Sequence, residues 1–132
     1  VEPNHHFLDA VLASCRWSPA IRDVFDRLNR SSDRRILVAC SGGADSVFLL
    51  HTLLAYAANK PTQVVVAHYN HAWRSASDDD AEFVSALAQR WSLPVVVEKN
   101  PESGKLKFSE TVARELRMQF LRKMAQVHNC QW

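Results

Sequence analysis

Apolar residues in this chain alternate between short continuous runs and longer helically spaced ones. Residues 5–30 have helical spacing, broken near Trp17-Ser18-Pro19. Pro19 suits a first helical position, Ser18 its cap, and Ile21, Val24, Phe25 and Leu28 form one apolar stripe. A polar run over 29–34 leads into Ile36-Leu37-Val38-Ala39-Cys40, an aliphatic segment of strand length. Val47, Phe48, Leu49, Leu50, Leu53 and Leu54 follow at helix spacing until Asn59-Lys60-Pro61 breaks the pattern. Residues 63–68 form a second, valine-rich run, continuous as strands covered on both faces are.

A polar stretch over 75–80 opens the next helix. Ser77 is its expected N-cap, and Asp78, Asp79 and Asp80 crowd the positive end of the dipole, a reading favoured over a metal site. Phe83, Val84, Leu87, Ala88 and Trp91 form its buried face. Residues 93–97 read as a third strand, with Pro94 at its start or on an edge. After a loop over 100–107, a last helix runs from about Ser109 toward His128, packed through Val112, Leu116, Phe120 and Met124.

The order helix-β-α-β-α-β-α predicts an α/β fold: a parallel sheet with helices on both faces, Rossmann-like. The boundaries are a helical segment over 1–33 and the N-terminal part of an α/β domain over 34–132. Ligands in such sheets sit beyond the carboxyl ends of the strands. The loops after the first two strands therefore face one crevice.

The first of those loops is Ser41-Gly42-Gly43-Ala44-Asp45-Ser46. A strand, a tight glycine turn and a helix N-terminus together make an anion cradle, and phosphate is the expected guest. No lysine follows the glycines, as a Walker loop requires, and the G-x-G-x-x-G fingerprint is absent. A carboxylate beside phosphates is repulsive unless a divalent cation lies between them, so Asp45 points to Mg²⁺. Valine at Gly43 is expected to be severe, because a β-branched side chain resists φ > 0 and blocks backbone approach.

The second loop, His68-Tyr69-Asn70-His71-Ala72-Trp73-Arg74, carries two histidines, an amide and an arginine. These groups either contact adenine, ribose or phosphate, or hold the crevice in shape. His68 and His71 lack nearby partners of a typical metal-ligand pattern. In the last helix Arg114 and Arg117 lie at the margin of the apolar stripe. A guanidinium there either covers apolar surface with its stem or offers fixed donors to phosphate oxygens and developing charge.

Composition narrows the class. At 132 residues and 47% hydrophobic, the chain can form one domain with a real core. No apolar run approaches a membrane span or begins the chain as a signal peptide would, and it opens on Val1, as a trimmed or processed product does. Cys15, Cys40 and Cys130 read as free thiols in a reducing, cytoplasmic compartment. A net charge of +2 does not by itself argue for nucleic acid.

Ser41-Gly42-Gly43-Ala44-Asp45-Ser46 resembles the pyrophosphate-binding loop of the N-type ATP pyrophosphatases, the PP-loop enzymes, which split ATP between its α and β phosphates. His68-Tyr69-Asn70-His71-Ala72-Trp73-Arg74 is similar to the H-x-N-H-x-x-R loop of the tRNA(Ile)-lysidine synthetases. The segment from Glu110 to Leu121 resembles their E-x-x-A-R-x-x-R-Y-x-x-L helix, with Met118 where tyrosine is usual, and the acidic start at Asp78-Asp79-Asp80 also matches. The likeness covers roughly residues 33–125. It implies a ligase that adenylylates the wobble cytidine of tRNA(Ile), after which free L-lysine displaces AMP to give lysidine.

By the same resemblance Ser41, Gly42, Gly43, Ala44, Asp45, Ser46, His68, Asn70 and His71 hold ATP, Asp45 positions Mg²⁺, and Arg114 or Arg117 serves the transfer. The rivals are a PP-loop tRNA-cytidine thiolase, for which paired cysteines are lacking, and a nucleotide-binding remnant without turnover. Family members continue into a G-H-x-x-D-D-x-x-E-T segment and tRNA-gripping domains that are not found here. The first strand is then expected as an open edge, prone to pairing with another copy. The 132-residue chain alone is expected not to make lysidine. Incubation with ATP, Mg²⁺, lysine and a tRNA(Ile) transcript checks this, and appearance of lysidine would contradict it.

Overall fold

The computed structural model describes residues 6, 10, 19–30, 35–57, 62–73, 76–101 and 109–132. The break at Trp17-Ser18, the polar run over 31–34, the Asn59-Lys60-Pro61 breaker, Arg74 and most of the 100–107 loop lie outside them. Helix α1 spans Pro19–Arg30, with Pro19 at its first position as expected. Then follow β1 (Arg35–Ala39), α2 (Ala44–Ala57), β2 (Gln63–Asn70), α3 (Ser77–Arg90), β3 (Val95–Lys99) and α4 (Glu110–Val127).

The strands form a parallel sheet in the order β1-β2-β3. Ile36 lies opposite Val64, and Val66 opposite Val95. Parallel neighbours need a crossover, and a helix supplies each one. The expected α/β class with a parallel sheet is thus the one observed.

Strand periodicity sorts the core into two layers. Ile36 and Val38 of β1 and Cys40 just after it, with Val64 and Val66 of β2, pack against Leu28, Leu50, Leu53, Val84 and Ala88 from α1, α2 and α3. Leu37, Ala67, Tyr69 and Val96 face the other way, onto Leu116, Phe120, Leu121 and Met124 of α4. β2 is buried from Val64 through Asn70, which explains its unbroken apolar run. α4 departs from its expected stripe at one end: Val112 is 45% exposed, because the helix meets the sheet only from Leu116 onward.

Helix starts differ in one place. α4 begins as expected, with the Ser109 hydroxyl accepting the Val112 N–H at 3.5 Å. α3 does not: its N-cap is Ala76, without a side-chain cap, and Ser77 is the buried first helical residue. The Ser77 hydroxyl turns inward, and the run of aspartates satisfies the helix dipole in its place.

The outer edge of β1 is partly occupied. After α4, Asn129 takes a left-handed φ of 54° and the chain turns back, so that the Leu37 N–H donates to the Trp132 carbonyl at 2.8 Å. The Arg35 guanidinium donates to the His128 carbonyl at 3.2 Å. The edge expected to stand open is thereby tied to the end of α4.

Leu50 is fully buried beneath the sheet. Leu50→Ala should cost about 2–5 kcal/mol in a urea unfolding titration, while Val112→Ala should stay within about 0.5 kcal/mol.

Candidate functional site: the cavity at the carboxyl end of the sheet

The turn from β1 into α2 is held by two serines. Ser46 Oγ donates to the Gly43 carbonyl at 3.0 Å and accepts the Ser41 N–H at 3.1 Å. A hydroxyl has one proton, so the 3.1 Å contact between Ser41 Oγ and Ser46 Oγ is donated by Ser41. Ser41 Oγ in turn accepts the Gly43 N–H at 3.2 Å. The loop is therefore shaped by its own hydroxyls. The first α2 amides, from Ala44 onward, lack carbonyl partners within the helix, an arrangement that can receive an anion.

Gly42 sits at φ +91°. A Cβ there would find ordinary room beside Val84 and Phe83, at 3.6 and 3.7 Å, so backbone conformation requires the glycine. Gly43 has no positive φ, and its Cβ would lie 3.4 Å from Ser41 Oγ. The reason for expecting severity at Gly43 belongs instead to Gly42.

Beyond the strand ends lies a cavity of about 450 Å³. The turn after β1 contributes Cys40 and Ser41, and β2 with its loop contributes His68, Asn70, His71 and Trp73. α3 adds Ser77 and Asp80, and α4 adds Arg117, Met118 and Leu121. Strand alternation explains the gathering. His68 and Asn70 point to the α2–α3 side, as Val66 does, while Tyr69 points to α4. Loops after the strand ends let both sides meet.

His68 is buried, and its Nδ1 lies 2.7 Å from the Cys40 carbonyl. A carbonyl only accepts, so Nδ1 carries the proton and, in the neutral ring, Nε2 keeps a lone pair. Asn70 spends its amide on structure. Its Oδ1 accepts the Ala72 N–H at 2.9 Å, and its Nδ2 donates to Asp78 at 2.8 Å. Lys99 reaches the same Asp78 oxygen at 3.0 Å. These two hydrogen bonds, from Lys99 first and Asn70 second, hold the Asp78 carboxyl below the usual carboxylate range. His71 Nδ1 is enclosed with no hydrogen-bond partner among the described residues. Burial first, then Arg117, then His68 lower its pKa below 6.5, so it stands neutral at neutral pH.

The two arginines part company. Arg117 is half-buried and lines the cavity, whereas Arg114 is exposed and does not line it. Asp45 is exposed in the first turn of α2, beside the first amides of that helix. Its oxygen chemistry suits Mg²⁺, which commonly takes one or two carboxylates and completes its shell with phosphate oxygens and water. Among the described residues no three His, Cys, Asp or Glu side chains form a metal cluster.

Trp73, Ser77, Asp80 and Cys40 line the cavity without having been singled out as site residues. For two of them the pattern held a signal. Ser77, Asp80, Val84 and Ala88 follow one helical stripe, and its last two members are fully buried. Its first two thus continue inward to the crevice.

Residues 18–132 match the family model described as a PP-loop domain. A tRNA(Ile)-lysidine synthase from Thermosynechococcus vestitus is 40% identical over 96 residues, which is 73% of this chain and 27% of that protein. One from a Synechococcus species is 34% identical over 118 residues, 86% of this chain and 35% of the relative. The chain thus spans about a quarter to a third of the length of these relatives. A U34-tRNA thiolase structure from Methanococcus maripaludis is similar with a TM-score of 0.66 at 15% identity, over 84% of this chain and 41% of that one. That likeness supports the α/β architecture alone.

Two outcomes follow from this geometry. Gly42→Ala should lose about 1–2 kcal/mol in thermal or urea unfolding, while Gly43→Ala stays within about 0.5 kcal/mol. His71 should titrate below pH 6.5 by NMR and move upward in Arg117→Ala. Below that pH the unfolded chain takes up a proton that folded His71 refuses. Its contribution is therefore intact above 6.5 and declines as pH falls toward the folded value.

Proposed function

This chain belongs to the PP-loop domain family, and from that premise we propose that it is the ATP-activating part of a tRNA(Ile)-lysidine synthetase. The observation that carries the ATP reading is the phosphate loop. Gly42 at φ +91° and the Ser41–Ser46 hydroxyl network shape the turn that leads into the first amides of α2, and Ser41 of that turn lines the cavity that Arg117 also lines. Support for the finer reading comes from the lysidine synthases to which the chain is similar, and from the order of its three motifs.

In this reading ATP places its β and γ phosphates on the α2 amides, where backbone N–H groups and the dipole meet negative charge. Mg²⁺, held by Asp45 and phosphate oxygens, would offset the repulsion between that carboxylate and the phosphates. Arg117 donates from the α4 side to the oxygens that gain charge as the α–β bond breaks. The base oxygen of the cytidine takes the adenylyl group, and pyrophosphate leaves. The lysine amine then attacks the ring carbon that carries that oxygen; the carbon–oxygen bond breaks, AMP leaves with the oxygen, and the amine gives up a proton. Neutral His71 adds no positive charge beside Arg117.

Asn70 contributes by holding the loop, since both ends of its amide are committed. His68 contributes by tying the end of β2 to the end of β1 at the Cys40 carbonyl.

Calorimetry on this chain tests the reading. ATP and pyrophosphate should bind more tightly with Mg²⁺, and Asp45→Ala should remove that enhancement. Arg117→Ala should weaken ATP by roughly 10- to 100-fold, the range of a charged hydrogen bond. Arg114→Ala should change it far less. ATP affinity indifferent to Mg²⁺, Asp45 and Arg117 together would overturn the proposal.

A further inference from the structure

Four rings run in series from the α4 face of the sheet to the mouth of the cavity. Phe120 lies buried at the base, and the Tyr69 ring centre is 5.5 Å from it. His71 stands edge-on to Tyr69 at 4.9 Å, and Trp73 stands edge-on to His71 at 6.4 Å. These separations suit attractive aromatic contacts. The series ends on Trp73, which lines the cavity and is 51% exposed.

The position of that indole is built into the loop. Ala72, the residue before it, has φ +56°, a conformation that a residue with a Cβ keeps only when its surroundings hold it there. Asn70 does the holding through the Ala72 N–H, and Asp78 and Lys99 anchor Asn70 in turn. A clamp of three polar side chains thus fixes the backbone that carries Trp73 at the cavity mouth. A tryptophan needed only for packing would place its large apolar surface in the core.

We propose that Trp73 is a stacking platform for an unpaired base of an RNA loop, presented at the mouth of the nucleotide cavity; this rests on the tRNA-modifying function proposed above. Every base has a π-face, and proteins recognise single-stranded RNA by stacking splayed bases on aromatic rings. The exposure of the ring decides between sources of the base. A small-molecule pocket encloses most of its ligand, so adenine of bound ATP calls for an enclosed ring. A ring with half its surface in solvent suits a base delivered from outside on a flexible backbone.

The test uses the whole chain, with Trp73→Ala and Trp73→Phe. Binding is measured to a hairpin RNA with an unpaired anticodon-type loop, to the same sequence closed into duplex, and to ATP and pyrophosphate. Thermal unfolding followed by circular dichroism serves as the folding control. Trp73→Ala should weaken hairpin binding roughly 5- to 100-fold, the span of base–aromatic stacking. Trp73→Phe should keep most of it. Duplex RNA, ATP and pyrophosphate affinities should be unchanged, as should the unfolding temperature. Unaltered hairpin binding in Trp73→Ala overturns the platform. A loss of ATP affinity in that variant also overturns it, and assigns the ring to adenine. If the unsubstituted chain binds ATP but not the hairpin, the platform alone fails. If it binds neither ATP nor pyrophosphate, the underlying functional reading fails instead.

Discussion

Burial of β2 on both faces is the constraint on which the other elements depend. Its backbone pairs with β1 on one side and β3 on the other, so its polar groups are satisfied without solvent. Its side chains then divide strictly between two helical layers, Val64 and Val66 to one and Ala67 and Tyr69 to the other. A register slip of one residue would exchange the two sets and send His68 and Asn70 under α4. The same alternation that builds the core therefore delivers the polar end of the strand to the crevice.

Polar groups in that crevice are held mostly by one another. Ser46 Oγ makes three hydrogen bonds within the loop, and His68 and Asn70 are committed to Cys40, Ala72 and Asp78. Such networks fix geometry when every member is satisfied. Among the described residues, the groups left to meet a ligand include the α2 amides and the Arg117 guanidinium. A preorganised site of this kind has little left to reorganise when charge develops on a bound phosphate.

Charge placement follows the same logic. Arg117 lies beside a histidine whose burial keeps it neutral, so among the described lining residues one strong cation stands where two would repel. Of the carboxylates, Asp80 lines the same cavity, and two others stand apart from it. Asp78 is satisfied by Lys99 and Asn70 at the outer end of β3, and Asp45 faces solvent at the loop.

Much of this was legible in the sequence. The valine-rich run over 63–68 announced a strand covered on both faces, because only such a strand can dispense with polar alternation. The order of strand, glycine turn and helix announced an anion site, since it exposes amides whatever surrounds it. Other features depend on contacts between distant segments. Which glycine carries the positive φ depends on how the turn is closed by Ser46, and the pattern Gly42-Gly43 reads the same either way. That Arg117 rather than Arg114 enters the cavity depends on the rotation of α4, set by Phe120 beneath Tyr69. The free edge of β1 looked open because pairing with Trp132 spans most of the chain. Local pattern determined the elements and the chemistry of the loop. Tertiary packing alone decided which side chains converge, because helix rotation and loop closure are settled by contacts that no local pattern contains.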